Sequence, residues 1–133
     1  MMRLSEYVGS LKHSLEQTEA TLEDGRAVAL DDGMARAVEM ILATAAPRKI
    51  MVIGNGGSAA IAAHFQTDLC HTLGLRALEF TASSLLTALS NDNGYETAFP
   101  SLAERWTDPD DLLIAISSSG RSANILKSAA KVR

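Results

Sequence analysis

Apolar residues recur every three or four positions at the start of the chain: Leu4, Val8, Leu11, Leu15, Thr18 and Leu22. This spacing predicts an amphipathic helix over 3–23, with Lys12, Glu16 and Glu19 on its other faces and Gly25 as its stop. The apolar stripe is narrow, suited to a partner helix as much as to a core. A second helix is expected to start at Asp31 or Asp32, both good N-cap residues. It should run through Met34, Val38, Ile41, Leu42 and Ala45 and end before Pro47. The pattern then changes. Residues 49–53 (KIMVI) form a short run rich in β-branched residues, which reads as a strand buried on both faces, as in a parallel sheet.

Gly54-Asn55-Gly56-Gly57-Ser58 follows that strand at once, and a helix is expected from about Ala59 to Leu73. Residues 76–80 read as a second strand. Residues 81–89 are ambiguous, with Ser83 a possible cap for a short helix. Asn91-Asp92-Asn93-Gly94 reads as a turn, and 99–106 as a short helix. Leu112 to Ile116 is another strand of the fully buried type. Ser117-Ser118-Ser119-Gly120 follows it, and a last helix begins near Ser122 and is expected to run on to Arg133. Strand, loop and helix in repetition predict an α/β fold: a parallel sheet sandwiched by helices in three layers, flavodoxin-like. Three strands are few for such a sheet, so the chain reads as truncated at its C-terminal end.

With 133 residues the chain makes a single domain, 1–133. Apolar residues at 47% and charged residues at 21% are ordinary for a globular chain. A net charge of −4 leaves no basic excess for a nucleic-acid backbone, so no nucleic-acid partner is expected. The single cysteine, Cys70, cannot form an internal disulfide, which fits a reducing compartment; it reads as a small buried apolar residue. No apolar run approaches membrane-spanning length, so no membrane partner is expected, and the N-terminus lacks an apolar signal core.

In open parallel sheets ligands bind beyond the carboxyl ends of the strands, where two polar small-residue loops fall in this sequence. In GNGGS, glycines let backbone approach a ligand, the next helix offers N–H groups, and Ser58 either caps that helix or binds a ligand oxygen. In SSSGRS, Ser117, Ser118, Ser119 and Ser122 supply hydroxyls suited to a phosphate, and Arg121 adds charge. The alternative is that each loop is only a tight strand-to-helix turn. Neither loop matches a Walker-type sequence, and the first lacks GxGxxG spacing. On the helix after the first loop, His64 and Asp68 share a face, with His71 nearby and Ile61, Phe65 and Leu69 as an apolar stripe for the sheet. The pair suits a divalent metal, acid–base chemistry, or no more than a surface helix pair. His13 reads as solvent-exposed.

GNGGSAAIAAHF, SNDNGYETAF and ISSSGRSANILKSAAKVR, in this order, resemble the sugar isomerase (SIS) domain, and within it the phosphoheptose isomerase branch. The resemblance covers nearly the whole chain. It implies a cytoplasmic homotetramer with sites shared between subunits, in which residues 1–28 serve oligomerisation and 29–133 form the phosphosugar-binding core. It implies a phosphorylated sugar as partner and conversion of sedoheptulose 7-phosphate to a heptose 7-phosphate. By the same resemblance Asn55, Gly56 and Gly57 contact the sugar with Ser58 beside them, as do Asn91 and Asp92. Ser117, Ser118, Ser119 and Ser122 hold the phosphate. His64 and Asp68 are the catalytic pair and ligands of a zinc ion. Two positions depart from the pattern: Asp68 stands where the family has glutamate, and Ile61 where an aspartate is usual. The family's remaining metal ligand and second catalytic histidine have no counterpart in these residues; His71 is a conceivable stand-in. These departures leave a second reading open, a non-catalytic SIS module that binds a phosphosugar or assembles with other proteins, as in the replication-initiator-associating type.

Overall fold

The computed structural model describes residues 3–132. The chain divides into two compact units, one ending at Met40 and one running from Ile41 onward. In the first, α1 spans Leu4–Glu16, and the Glu6 carboxylate accepts the Arg3 N–H at 2.7 Å to close its first turn. The predicted helix over 3–23 is therefore too long. After Glu16 the chain forms a two-stranded antiparallel ladder, β1 (Ala20–Thr21) against β2 (Ala27–Val28). Asp24-Gly25 sits in the connecting turn, where Leu22 N–H donates to Arg26 O. Helix α2 (Leu30–Ala43) starts just before the two aspartates and stops short of Ala45.

The second unit holds a parallel sheet of three strands in the order β4-β3-β5: β3 is Ile50–Gly54, β4 Ala77–Glu79 and β5 Leu112–Ile116. Register pairs Ile50 with both Ala77 and Leu112, and Gly54 with Ile116. Every residue of β3 is buried. Strand alternation sends Met51 and Ile53 to one face, where they pack with Phe80, Phe99, Leu102 and Ile125. Ile50 and Val52 go to the other, with Ala62, Leu69, Phe65 and Ile41. Helix α3 (Gly57–His71) thus covers one face. Helices α4 (Ser83–Asn93), α5 (Tyr95–Trp106) and α6 (Ala123–Lys131) cover the other. Each large side chain moved from water into these layers contributes about 1.5–3 kcal/mol. The parallel sheet between helices is the predicted fold class.

Three local expectations change. Residues 91–93 are the last turn of α4 rather than a free turn, and α5 begins at Tyr95, right after Gly94. Cys70 is exposed rather than buried, its thiol donating to Ala77 O at 3.3 Å. Ile61 is exposed instead of packing on the sheet with Phe65 and Leu69. Helix α6 ends at Lys131, with Val132 as its C-cap; the expected continuation to Arg133 falls outside the described residues. Among the described residues no helix is long and apolar enough to cross a membrane.

At the amino ends of β3 and β5 a charged clamp holds the two strands in register. Lys49 Nζ lies 2.6 Å from both Asp108 Oδ2 and Asp111 Oδ2. The Asp111 side chain is fully buried, and its oxygens also accept the N–H of Lys49 and of Asp108, both at 2.8 Å. Hydrogen bonds first to Asp108 and then to Asp111 raise the Lys49 pKa above 10.5. Burial pushes Asp111 upward, but its bonds to the Lys49 ammonium and the two N–H groups outweigh it and hold the carboxyl below 3.8.

Candidate phosphosugar site

Gly54 and Ile116 are the last residues of paired strands, so Asn55–Ser58 and Ser117–Ser122 leave the sheet side by side at its carboxyl edge. The first loop is tight because of two glycines. A Cβ on Gly54 would stand 2.6 Å from the carbonyl carbon and oxygen of Ser58, so only a residue without one lets α3 start this close to β3. Gly56, the N-cap of α3, has φ +54°, a conformation that side chains strain. Gly54→Ala is expected to cost about 1–3 kcal/mol of stability through the displaced helix start. Urea unfolding measures it, and an unchanged midpoint would contradict this packing.

Helix α3 begins at Gly57, so Ser58 lies within its first turn and does not cap it as one sequence alternative had it. In the second loop Ser122 is the N-cap of α6, as expected. Its hydroxyl lies 3.5 Å from that of Ser117, and Ser119 Oγ accepts the Arg121 N–H at 3.2 Å. Ser118, Ser119 and Arg121 are exposed. The loop therefore offers hydroxyls and the free N–H groups of a helix start to solvent, without apolar cover.

The two loops are tied to each other. The carboxamides of Asn55 and Asn124 bond reciprocally, Nδ2 to Oδ1, at 2.9 Å in both directions. Tyr95 donates its hydroxyl to Asn55 Oδ1 at 2.7 Å. Asn124 and Tyr95 were not singled out by sequence reasoning, although both lie inside the quoted motifs; a polar residue in the second position of a helix that follows a ligand loop was the available signal. Asn91 and Asp92, in contrast, are exposed on the last turn of α4, and the bond recorded between their side chains is to each other, at 3.1 Å. The segment reaches the first loop through Tyr95.

His64 and Asp68 sit on α3, about 10 and 16 Å along the axis from Gly57 at 1.5 Å per residue. Their side chains are 80% and 55% exposed, and His64 Nε2 is 3.7 Å from Asp68 Oδ2. They border an open groove with Ala60, Ile61 and Phe65. The serine loop does not line this groove. Among the described residues no three histidine, cysteine, aspartate or glutamate side chains converge on one point. His71, at the end of α3, does not join His64 and Asp68. Two donors fall short of the three protein ligands of a catalytic zinc and the four of a structural one, so the residues present do not make a zinc site.

The sequence pattern of the SIS domain matches residues 6–133. This chain belongs to the SIS domain family. Among curated proteins the SIS domain is similar to phosphoheptose isomerase of Helicobacter pylori strain P12. That match has 43% identity over 91 residues, 64% of this chain and 47% of that protein. It is likewise similar to phosphoheptose isomerase of Nitratidesulfovibrio vulgaris, at 42% over 96 residues, 68% of this chain and 46% of that protein. Among solved structures it resembles phosphoheptose isomerase from Neisseria gonorrhoeae. There the TM-score is 0.78 at 30% identity, covering 96% of this chain and 65% of the other. The structure from Francisella tularensis agrees equally well, at 27% identity. The chain thus spans about half the length of the curated relatives it matches.

Proposed function

We propose that this SIS domain binds a phosphorylated sugar and that the intact protein interconverts sedoheptulose 7-phosphate and an aldose heptose 7-phosphate. The observation that carries the reading is the pair of polar loops leaving β3 and β5 together, cross-linked by Asn55 and Asn124. In this reading Ser117, Ser118, Ser119 and Ser122 and the start of α6 bind the phosphate. Asn55, Gly56, Gly57 and Ser58 lie along the sugar, with Asn91 and Asp92 at its rim. Binding energy from the remote phosphate orients the reacting carbons.

The chemistry needs one base and one electrophile. Asp68 takes the C1 proton of the ketose, the C1–H electron pair becomes the C1=C2 double bond of the enediol, and the C2 carbonyl π pair moves to its oxygen, which gains a proton. His64 supplies that proton and later accepts the one leaving the C1 hydroxyl. Returning the first proton to C2 completes the aldose. His64 and Asp68 border a groove that the serine loop does not line, which supports a site completed by a neighbouring subunit. A zinc ion would have His64 and Asp68 as two of its ligands; the donor set here is incomplete, and no step is assigned to a metal.

Assembly is part of the proposal. Helix α1 has no buried residue, and Leu4, Val8, Leu11 and Leu15 are all at least half exposed. Met34, Val38 and Met40 on α2 are similarly uncovered. Such uncovered apolar side chains favour burial between copies of the chain, with 1–28 as an assembly element, 29–133 as the binding core and a tetramer as the product. The lone Cys70 and the acidic composition are in keeping with a cytoplasmic setting.

A second reading, a phosphosugar-binding module without catalysis, is favoured by the exposure of His64 and Asp68 and by the shorter carboxylate at position 68. Assay of the intact protein with sedoheptulose 7-phosphate separates the two: turnover supports the isomerase, and tight binding without turnover supports the module. In either case Ser119→Ala with Ser122→Ala is expected to weaken phosphosugar binding roughly 100-fold, since two bonds to a charged phosphate are lost. Unchanged affinity by calorimetry would remove the anchor assignment.

A further inference from the structure

The three sequence motifs meet at a single side chain. Asn55 follows β3, Tyr95 opens α5 and Asn124 stands in the first turn of α6. Asn55 Oδ1 accepts two hydrogen bonds, from Tyr95 OH at 2.7 Å and from Asn124 Nδ2 at 2.9 Å. A carboxamide oxygen has two acceptor sites, so this one is saturated. Asn55 Nδ2 donates one of its two hydrogens to Asn124 Oδ1 at 2.9 Å, and the same oxygen accepts the Ile125 N–H at 3.0 Å. In a reciprocal amide pair the hydrogen used lies on the same side as the carbonyl oxygen. The second hydrogen of Asn55 therefore faces away from Asn124, fixed in the plane of the group. Asn124 is 3% exposed, so this arrangement is built into the core rather than adjusted by solvent. Asn55 itself is half-buried, at the edge where the loops open.

We propose that Asn124 and Tyr95 are positioning residues that lock the Asn55 carboxamide as a donor only, offering one N–H to an oxygen of the bound phosphorylated sugar. Without them the amide turns over freely and presents oxygen as readily as nitrogen. This inference rests on the phosphosugar reading above, and it adds which polarity the first loop shows to the ligand and what enforces it. Tyr95 sits outside the phosphate loop and affects the sugar and not the phosphate, whereas Asn124, at the start of α6, borders both.

The test uses the intact protein, with sedoheptulose 7-phosphate and inorganic phosphate titrated separately. Tyr95→Phe removes one of the two donors to Asn55 Oδ1 and is expected to weaken sugar-phosphate binding about 3–10-fold. Asn124→Asp keeps an acceptor for the Ile125 N–H but sets an anionic oxygen against Asn55 Oδ1. Inverting the Asn55 amide does not relieve this, since its oxygen then meets the other carboxylate oxygen, so the reciprocal pair breaks and the amide loses its fixed orientation, with an expected loss of about 100-fold. Inorganic phosphate should bind Tyr95→Phe within about two-fold of the parent, whereas Asn124→Asp, which adds a negative charge at the start of α6, should weaken it less than it weakens the sugar phosphate. Equal loss of sugar phosphate and inorganic phosphate in Tyr95→Phe would make these hydrogen bonds a plain structural brace and overturn the proposal. Unchanged sugar-phosphate affinity in both variants would overturn it as well, while leaving the phosphosugar reading in place. A parent that binds neither ligand would remove that reading and this inference together. Tyr95 is 46% exposed, so Tyr95→Phe carries the test if Asn124→Asp does not fold.

Discussion

Lys49→Met is expected to lower the unfolding free energy by about 3–5 kcal/mol, the cost of leaving a buried ion without its partner. The stranded group is Asp111, whose side chain has no solvent exposure and retains only two backbone N–H donors after the change. Asp108 matters less, since its side chain is 80% exposed and rehydrates. The double variant Lys49→Met/Asp111→Leu should recover most of the loss, because it removes both charges from the interior. The clamp also predicts the pH profile. Asp111 titrates below 3.8 in the folded chain, so its stabilisation is present above that value and is lost as acid takes the pH down through the depressed pKa. Lys49 titrates above 10.5, so its share is complete below that value and is lost as the pH rises through the raised pKa. Urea unfolding of the parent should show this contribution flat between those limits, and Lys49→Met should lose less stability at either extreme. A variant within about 0.5 kcal/mol of the parent at neutral pH would deny the clamp any role in holding β3 and β5 together.

Asp68→Asn is expected to reduce kcat for sedoheptulose 7-phosphate about 10²–10⁴-fold, the usual effect of removing a general base. Phosphosugar affinity should hardly change, because the proposed anchor is the serine loop on another strand. Asp68→Glu moves the carboxylate outward by about 1.5 Å, a shift of the size that alters rates 100-fold. In the proposed site this shift gives the longer carboxylate that the family resemblance implies at this position, so activity should be kept or raised. Steady-state kinetics with calorimetric binding on the same preparations separates the effects. Equal kcat in Asp68→Asn and the parent would take the base assignment away from this residue and leave the binding module as the reading.

The layout of the fold was legible along the chain wherever burial has a simple period. Residues 50–53 and LLIAI read as two-sided strands because every position is apolar; the structure buries all of β3 but leaves β5, an edge strand, half-buried with Ala115 exposed, because no strand covers its outer side. The helices after both loops were legible for the same reason. The hairpin after α1 was not. Thr18 and Leu22 extend the helical spacing of Leu4 to Leu15, and the Asp24-Gly25 turn, a recognised hairpin signal, was read as a helix stop. Likewise Asn91-Asp92-Asn93 has turn composition yet ends a helix, since Gly94 alone carries the change of direction.

The phosphate loop and the His64/Asp68 pair could be proposed from sequence because loop chemistry and helical spacing are local. Cys70 and Ile61 were misjudged because exposure depends on what covers a face, which spacing alone cannot tell.

The amino-acid sequence by itself determined the alternation of strands and helices, the two polar loops and the family, all properties of neighbours in the chain. Only the tertiary structure decided that Asn55, Tyr95 and Asn124 share hydrogen bonds, and that Lys49 is sealed against Asp111. It also decided that His64 and Asp68 border a groove that the serine loop does not line. The physical reason is distance in sequence: Asn55 and Asn124 are 69 residues apart, and Lys49 and Asp111 are 62 apart. No periodicity or local propensity encodes such pairings, which arise when strand register brings the carboxyl and amino ends of the sheet into line.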